Sequence, residues 1–226
     1  MTLSVESMPV EAGRFAAMRH AMVASQLRTN AVNDPRVIEA MARTPREDFL
    51  PAEHRAIAYR DTLLPLGEGR HHNSPLAIGR LLTEAAIVPQ DRVLLIGAAG
   101  GYAAALLAGL AGSVVALEED ESLLAVARPA LGGLANVEVA TGALNQGWAA
   151  GAPYDLILID GAVEQVPDAI VEQLRPGGRL VTGIVDRGVT RLALGRRSEG
   201  GFGLADFQDI ECAVLPGFVR LRTFQF

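Results

Sequence analysis

Ten consecutive residues, Val93-Leu94-Leu95-Ile96-Gly97-Ala98-Ala99-Gly100-Gly101-Tyr102, restrict the fold more than any other stretch of the 226-residue chain. An apolar run breaks into small residues and then opens into an alanine- and leucine-rich segment. That succession describes a buried parallel strand, a tight turn and a helix whose N-terminus faces a ligand. Gly97 permits the sharp turn, and Gly100 with Gly101 permits close approach of a second backbone. The spacing departs from G-x-G-x-x-G because Ala98 and Ala99 separate Gly97 from the glycine pair. Alone it is a weak signal, and the strand and helix pattern around it gives it weight.

From Asp91 onward strand and helix patterns alternate. The periodicity predicts strand 92–96, helix 102–110, strand 113–117, helix 121–130, strands 137–140 and 155–159, helix 167–174 and strand 179–185. Near-continuous apolar strands such as Leu156-Ile157-Leu158-Ile159 suit a sheet covered on both faces. Pro176-Gly177-Gly178 is expected as a tight turn back into that sheet. After Asp186 the period changes to two, and Ser198-Glu199-Gly200-Gly201 supplies a hairpin turn before an extended stretch over 202–214. The fold class is therefore α/β, a mostly parallel sheet closed by an antiparallel C-terminal hairpin.

The first third reads as a helical prelude. Residues 1–12 are expected to form a loose arm, and Phe15, Met18 and Met22 recur at helical spacing towards Thr29. Asn33-Asp34-Pro35 opens a short helix with Val37, Ile38 and Met41 on one face, and another short helix is expected over 51–59. Residues 63–75 carry two glycines and two prolines and are expected as an irregular loop. Ser74 caps the next helix, with Pro75 at its first position. A chain of this length suits one domain over 1–226, in which residues 1–75 form a helical layer and loop and 76–226 the core.

Composition removes several function classes. The net charge of −6 argues against nucleic acid, which needs a basic face. All twenty basic residues are arginine, which excludes a lysine nucleophile, a Schiff base and a Walker-type phosphate lysine. Cys212 is the only cysteine, so there is neither an intramolecular disulfide nor a cysteine-based zinc site; between Ile210 and Val214 it reads as a small buried hydrophobe rather than a reactive thiol. No signal peptide is visible at the N-terminus, and no stretch approaches the roughly 20 apolar residues of a membrane span. A cytoplasmic protein with no membrane partner is expected.

Glu118 ends the second strand of the βαβ unit, twenty-one positions after Gly97. A carboxylate there accepts hydrogen bonds from both hydroxyls of a ribose, whereas Asp120 and Glu121 are left to cap the next helix. Asp160 ends the strand 155–159, and two readings fit it: an acid at the mouth of the ligand crevice, or a turn residue bonding its own backbone. His71 and His72 are adjacent, so in an extended segment their side chains face opposite ways and cannot chelate one ion together; no metal site is expected. One of them as a proton carrier or substrate contact is the favoured role. Arg187, Arg191, Arg196 and Arg197 are expected to be solvated on the hairpin.

The order of these segments resembles the protein-L-isoaspartate O-methyltransferase family across nearly the whole chain. The matching stretches include Met22-Val23, Ser25-Gln26-Leu27-Arg28, Pro45-Arg46-Glu47-Asp48-Phe49, Ala58-Tyr59, Pro65-Leu66-Gly67-Glu68-Gly69, Leu94 to Tyr102, Gly147-Trp148 and Gln173 to Val181. The resemblance implies a Rossmann-like fold that binds S-adenosylmethionine and methylates the misplaced carboxylate of isoaspartyl residues in a protein or peptide. It implies cofactor contacts from Gly97, Ala98, Gly101, Tyr102 and Glu118, with Asp160 available to replace a missing acid. It places the acceptor near 70–74, held by Asn73 or Ser74 with His71 or His72 assisting.

The departures fall on that same chemistry. The family loop Gly-Gln-Thr-Ile-Ser-x-Pro here reads Gly69-Arg70-His71-His72-Asn73-Ser74-Pro75, so the family's serine position is Asn73. Leu95 stands at a family acid, Ala99 at the middle glycine, and Gly142-Ala143-Leu144 replaces Gly-Asp-Gly. Ala99 is compatible with the turn if its φ is negative. Two other functions fit these losses: a non-catalytic binding or scaffolding module, and a methyltransferase for a small acceptor, the latter suggested by Leu158-Ile159-Asp160-Gly161.

Overall fold

The computed structural model describes residues 7–67 and 69–220. Helix α1 (Ser7–Met22) already includes half of the stretch expected as an arm; residues 1–6 of that stretch lie outside the described residues. A π turn, Val23–Leu27, continues it and buries Val23 and Leu27. Helix α2 (Pro35–Arg43) starts where the sequence indicates, because the Asp34 side chain accepts the Arg36 N–H and Pro35 needs no donor. The helix expected over 51–59 is a 3-10 segment, Ala52–Ile57.

Residues 63–75 are more regular than their glycine and proline content suggests. Strands β1 (Leu64–Gly67) and β2 (Arg70–His72) form a small antiparallel ladder in which His72 faces Leu64 and His71 faces Pro65. The register shifts between Pro65 and Gly67, the kind of irregularity that admits a proline into a strand. This ladder aims Arg70 and His72 inward and leaves His71 at the periphery. Helix α3 (Pro75–Glu84) comes at once, with the Ser74 hydroxyl accepting the Ala77 N–H.

The main sheet contains β3 (Arg92–Ile96), β4 (Ser113–Glu118), β5 (Val137–Thr141), β6 (Tyr154–Val163), β7 (Leu174–Asp186), β8 (Val189–Ser198) and β9 (Gly201–Asp209) in the order β5-β4-β3-β6-β7-β8-β9. Helices α4 (Tyr102–Ala108) and α5 (Glu121–Leu131) cross over between β3, β4 and β5, and α6 (Asp168–Val171) lies between β6 and β7. The first five strands in that order run parallel, and β8 and β9 add antiparallel at the edge. The strand order reverses between β3 and β4 on one side and β3 and β6 on the other, which opens a ligand crevice at their carboxyl ends.

Three expectations need correction. The helix over 167–174 is only the single turn Asp168–Val171, because the Tyr154 N–H donates to the Gln173 carbonyl and Leu174 is already paired with Tyr154. Pro176-Gly177-Gly178 is not a turn between elements but an irregularity inside β7, with Gly177 at a φ of 80°. The extended run over 202–214 is broken: β9 ends at Asp209, and the segment 212–215 returns to β6, where the Ala162 N–H donates to the Ala213 carbonyl and the Leu215 N–H to the Ala162 carbonyl.

Side-chain alternation divides β3 between two cores. Val93 and Leu95 join the core beneath α2, α3 and α4, whereas Leu94 and Ile96 join the core on the opposite face with Ile157 and Ile159. Leu95 is fully buried there and packs the centre of the molecule. Leu95→Ala is expected to lower the free energy of unfolding by about 3 kcal/mol through lost burial and the cavity left behind. Urea denaturation of the two proteins measures it.

Candidate functional site

The glycine turn is pinned to its neighbour strand. The Gly97 and Ala98 N–H groups both donate to the Leu117 carbonyl, and the Gly101 N–H donates to the Ala98 carbonyl. Gly97 and Gly101 have φ of 82° and 99°, conformations that only glycine adopts without strain. Ala99 has a φ of 47°, so the condition under which alanine suits the turn, a negative φ, is not met. An L-residue is held there in the left-handed region because its N–H donates to a Glu118 carboxylate oxygen at 2.8 Å. At Gly100 a Cβ would meet the Phe49 carbonyl oxygen at 2.7 Å and His72 Nε2 at 3.3 Å, so the prelude does press its backbone against this turn.

Glu118 sits at the end of β4 with no exposed surface. Arg70 Nη1 donates to Oε1 at 2.7 Å and Arg70 Nη2 to Oε2 at 2.9 Å, a bidentate pair between β2 and β4. Three backbone N–H groups, of Ala99, Glu119 and Asp120, complete the set at 2.8, 2.9 and 3.2 Å. A carboxylate offers about four lone-pair directions, so five donors saturate it.

A second polar group lies beside it. Asn73 Nδ2 donates to Asp160 Oδ1 at 2.7 Å, and Asn73 Oδ1 accepts the Ala213 N–H at 2.8 Å. Of the two readings for Asp160, the turn residue fails: it continues β6 and binds across to the loop rather than to its own backbone. Burial raises its pKa, opposed by the Asn73 hydrogen bond and by the charges of Arg46 and Arg70. Arg46 is buried beneath the loop, donating from Nε to the Ala58 carbonyl at 2.9 Å and from Nη2 to the Asn73 carbonyl at 2.6 Å, with its guanidinium 4.9 Å from the Tyr102 ring centroid. Burial pushes the Arg46 pKa down.

His72 is 2% exposed, and its Nε2 lies 3.0 Å from the Phe49 carbonyl oxygen. Burial, and secondarily the Arg46 charge, lower its pKa to about 3. The imidazole is therefore neutral near pH 7 with Nε2 donating, which removes it from proton carriage and makes it a strut between the loop and Phe49. Ser74 is engaged as the cap of α3.

Across the crevice runs the segment 212–215. Leu215 lies over Gly97 and Gly161, where an added Cβ would meet its side chain at 3.1 and 2.5 Å. Cys212 is buried, and burial ahead of the nearby Asp160 charge raises its thiol pKa to about 12, consistent with a packing role. Arg197 is half-buried rather than fully solvated: its Nη1 donates to the Glu172 carbonyl at 2.7 Å and also to those of Val171 and Leu174.

The fold thus gathers Gly97, Ala98, Gly101, Tyr102, Glu118, Asp160, His72 and Asn73 at the carboxyl ends of β3, β4 and β6. Arg70, Arg46 and Leu215 join them without having been singled out from sequence. Arg70 left a signal, a charge where the family has glutamine, within a loop already suspected of function. Leu215 left none.

The protein-L-isoaspartate(D-aspartate) O-methyltransferase (PCMT) family model matches residues 18–210. This chain belongs to the PCMT family. It is 40% identical over 185 residues to protein-L-isoaspartate O-methyltransferase 1 of Rhodopseudomonas palustris, covering 80% of this chain and 76% of the relative. A solved protein-L-isoaspartate O-methyltransferase shares its fold with a TM-score of 0.76 at 22% identity, covering 88% of this chain and 66% of that one. A Plasmodium falciparum PCMT, solved in complex with S-adenosyl-L-homocysteine, superposes with a TM-score of 0.73 at 16% identity over 89% of this chain and 97% of its own. The Rossmann-like α/β class expected from the sequence is the fold of these structures. Among the described residues no helix is long and apolar enough to cross a membrane.

The neutral His72 gives the site a pH signature. In the unfolded chain this imidazole titrates near ~6.5, far above its folded value, so its contribution to stability is present above that pH and is lost as pH falls towards about 3. Between pH 7 and pH 5 the expected loss is about 2 kcal/mol. His72→Gln flattens that dependence; denaturant unfolding of both proteins at the two pH values measures the difference.

Proposed function

We propose that this PCMT member transfers a methyl group from S-adenosylmethionine to the misplaced carboxylate of isoaspartyl residues in damaged proteins or peptides. The observation that carries the reading is the family match over residues 18–210, which spans the loop, the glycine turn and Glu118 together. The reading extends to a single domain acting in the cytoplasm.

S-adenosylmethionine is the methyl donor of this reading, but the side chains as they stand do not accommodate it. Both oxygens of Glu118 are already saturated by five donors, so no lone pair is left for a ribose hydroxyl. Leu215 covers Gly97 and Gly161 at the mouth of the crevice. Two large surface cavities, of about 540 and 430 Å³, are lined elsewhere, by Arg28 to Glu39 and by Glu164, residues 184–188 and Arg220.

On the acceptor side, the chain's task is position and charge. A carboxylate is ionised near neutrality and needs no general base, so orientation supplies the catalytic advantage. Asn73 is the residue assigned to the acceptor side, and Arg46 supplies positive charge directly behind it through the Asn73 carbonyl. His72 holds the loop against Phe49, and Ser74 holds it to α3.

Incubation with methyl-labelled S-adenosylmethionine and an isoaspartyl peptide, with the aspartyl peptide as control, tests the proposal. Base-labile methyl ester on the isoaspartyl peptide alone is the expected result. Absence of transfer to it, or a requirement for a divalent ion with a small hydroxyl acceptor, overturns the proposal.

A further inference from the structure

The disagreement between the site and its cofactor begins at one side chain, Arg70. It is 6% exposed, its two Nη atoms take both oxygens of Glu118, and it approaches a Cβ built on Gly97 to 3.7 Å. A guanidinium presenting two parallel N–H groups has the same donor pattern as the two vicinal hydroxyls of a ribose, and it adds a charge. A nucleoside must therefore compete with a group already tethered to the protein.

A second closure lies next to the first. The segment 212–215 is held in place by one hydrogen bond to a side chain, Ala213 N–H to Asn73 Oδ1, and two between backbones, Ala162 N–H to Ala213 O and Leu215 N–H to Ala162 O, at 2.8, 2.7 and 2.9 Å. It lays Leu215 over Gly97 and Gly161. Asn73 belongs to the same loop as Arg70, so the loop holds the glycine-turn side and the C-terminal segment at once.

We propose that Arg70 is an internal occupant of the ribose position, so that a nucleoside diol reaches Glu118 only when Arg70 and the loop it belongs to swing away. This rests on the proposed cofactor and names the residue that controls access to it. Arg70 acts through Glu118 and is a positioning residue rather than a catalytic one. Removing it need not unfold the chain, because Glu118 keeps the three backbone N–H donors of Ala99, Glu119 and Asp120.

The test is calorimetric titration of S-adenosylhomocysteine into the full-length wild type and Arg70→Gln, each first shown to be folded by its thermal melt. Arg70→Gln is expected to bind about tenfold or more tightly than wild type, equivalent to ~1.4 kcal/mol or more. The gain is expected to vanish with a ligand lacking the 2′-hydroxyl. A folded Arg70→Gln whose affinity equals or falls below that of wild type overturns the proposal. If both proteins bind equally well, the cofactor assignment stands and Arg70 is no gate. If neither binds at millimolar concentration, the cofactor assignment falls with it. Should Arg70→Gln fail to fold, nitrogen-15 arginine spectra of the wild type decide: loss of the protected Arg70 guanidinium signals on titration supports displacement, and their persistence with ligand bound overturns it.

Discussion

Glu118 is the point at which three separate parts of the chain are tied to one another. Its carboxylate collects the loop through Arg70, the glycine turn through the Ala99 N–H and the start of α5 through the N–H groups of Glu119 and Asp120. A buried ion pair gains little net stability, because desolvating both charges offsets most of their attraction. Its consequence is positional. An unpaired carboxylate with no exposed surface is costly, so the loop is held where Arg70 meets it and the left-handed Ala99 is held where its N–H meets it.

From that tie the remaining site geometry follows. With Arg70 fixed, Asn73 falls between Asp160 on β6 and the Ala213 N–H, and Arg46 closes beneath it on the Asn73 carbonyl. Asp160 and Glu118 are two buried acids at one end of the sheet, and Arg46 and Arg70 are the two cations set against them. Charge is balanced within the protein itself. In a site built for a cationic donor and an anionic acceptor, that balance would otherwise be completed by the ligands, which is why internal pairing and ligand binding oppose one another here.

Much of this was legible in the sequence because it depends on local rules. The strands 92–96 and 113–117 follow from apolar runs, the caps of α2, α3 and α5 from Asp34, Ser74 and Asp120, and the turn from Gly97 and Gly101. Local rules failed where a distant partner overrode them. Leu174 became strand because Tyr154 offered it a ladder, and residues 64–67 and 70–72 became a paired ladder because each half supplied the other's hydrogen bonds. Ala99 was drawn into a left-handed conformation by a carboxylate nineteen residues away in the chain.

Sequence alone determined the family and the α/β class, since these depend on periodicity, capping and the order of short motifs. It also placed Leu95 in the first strand of the βαβ unit and Arg70, a charge, in the loop before Pro75. Only the tertiary structure decided what that charge does. Arg70 and Glu118 are 48 residues apart, and Leu215 reaches Gly97 from the far end of the chain. Pairings over such separations are selected by the whole packed core rather than by their flanking residues, and they leave no local trace to read.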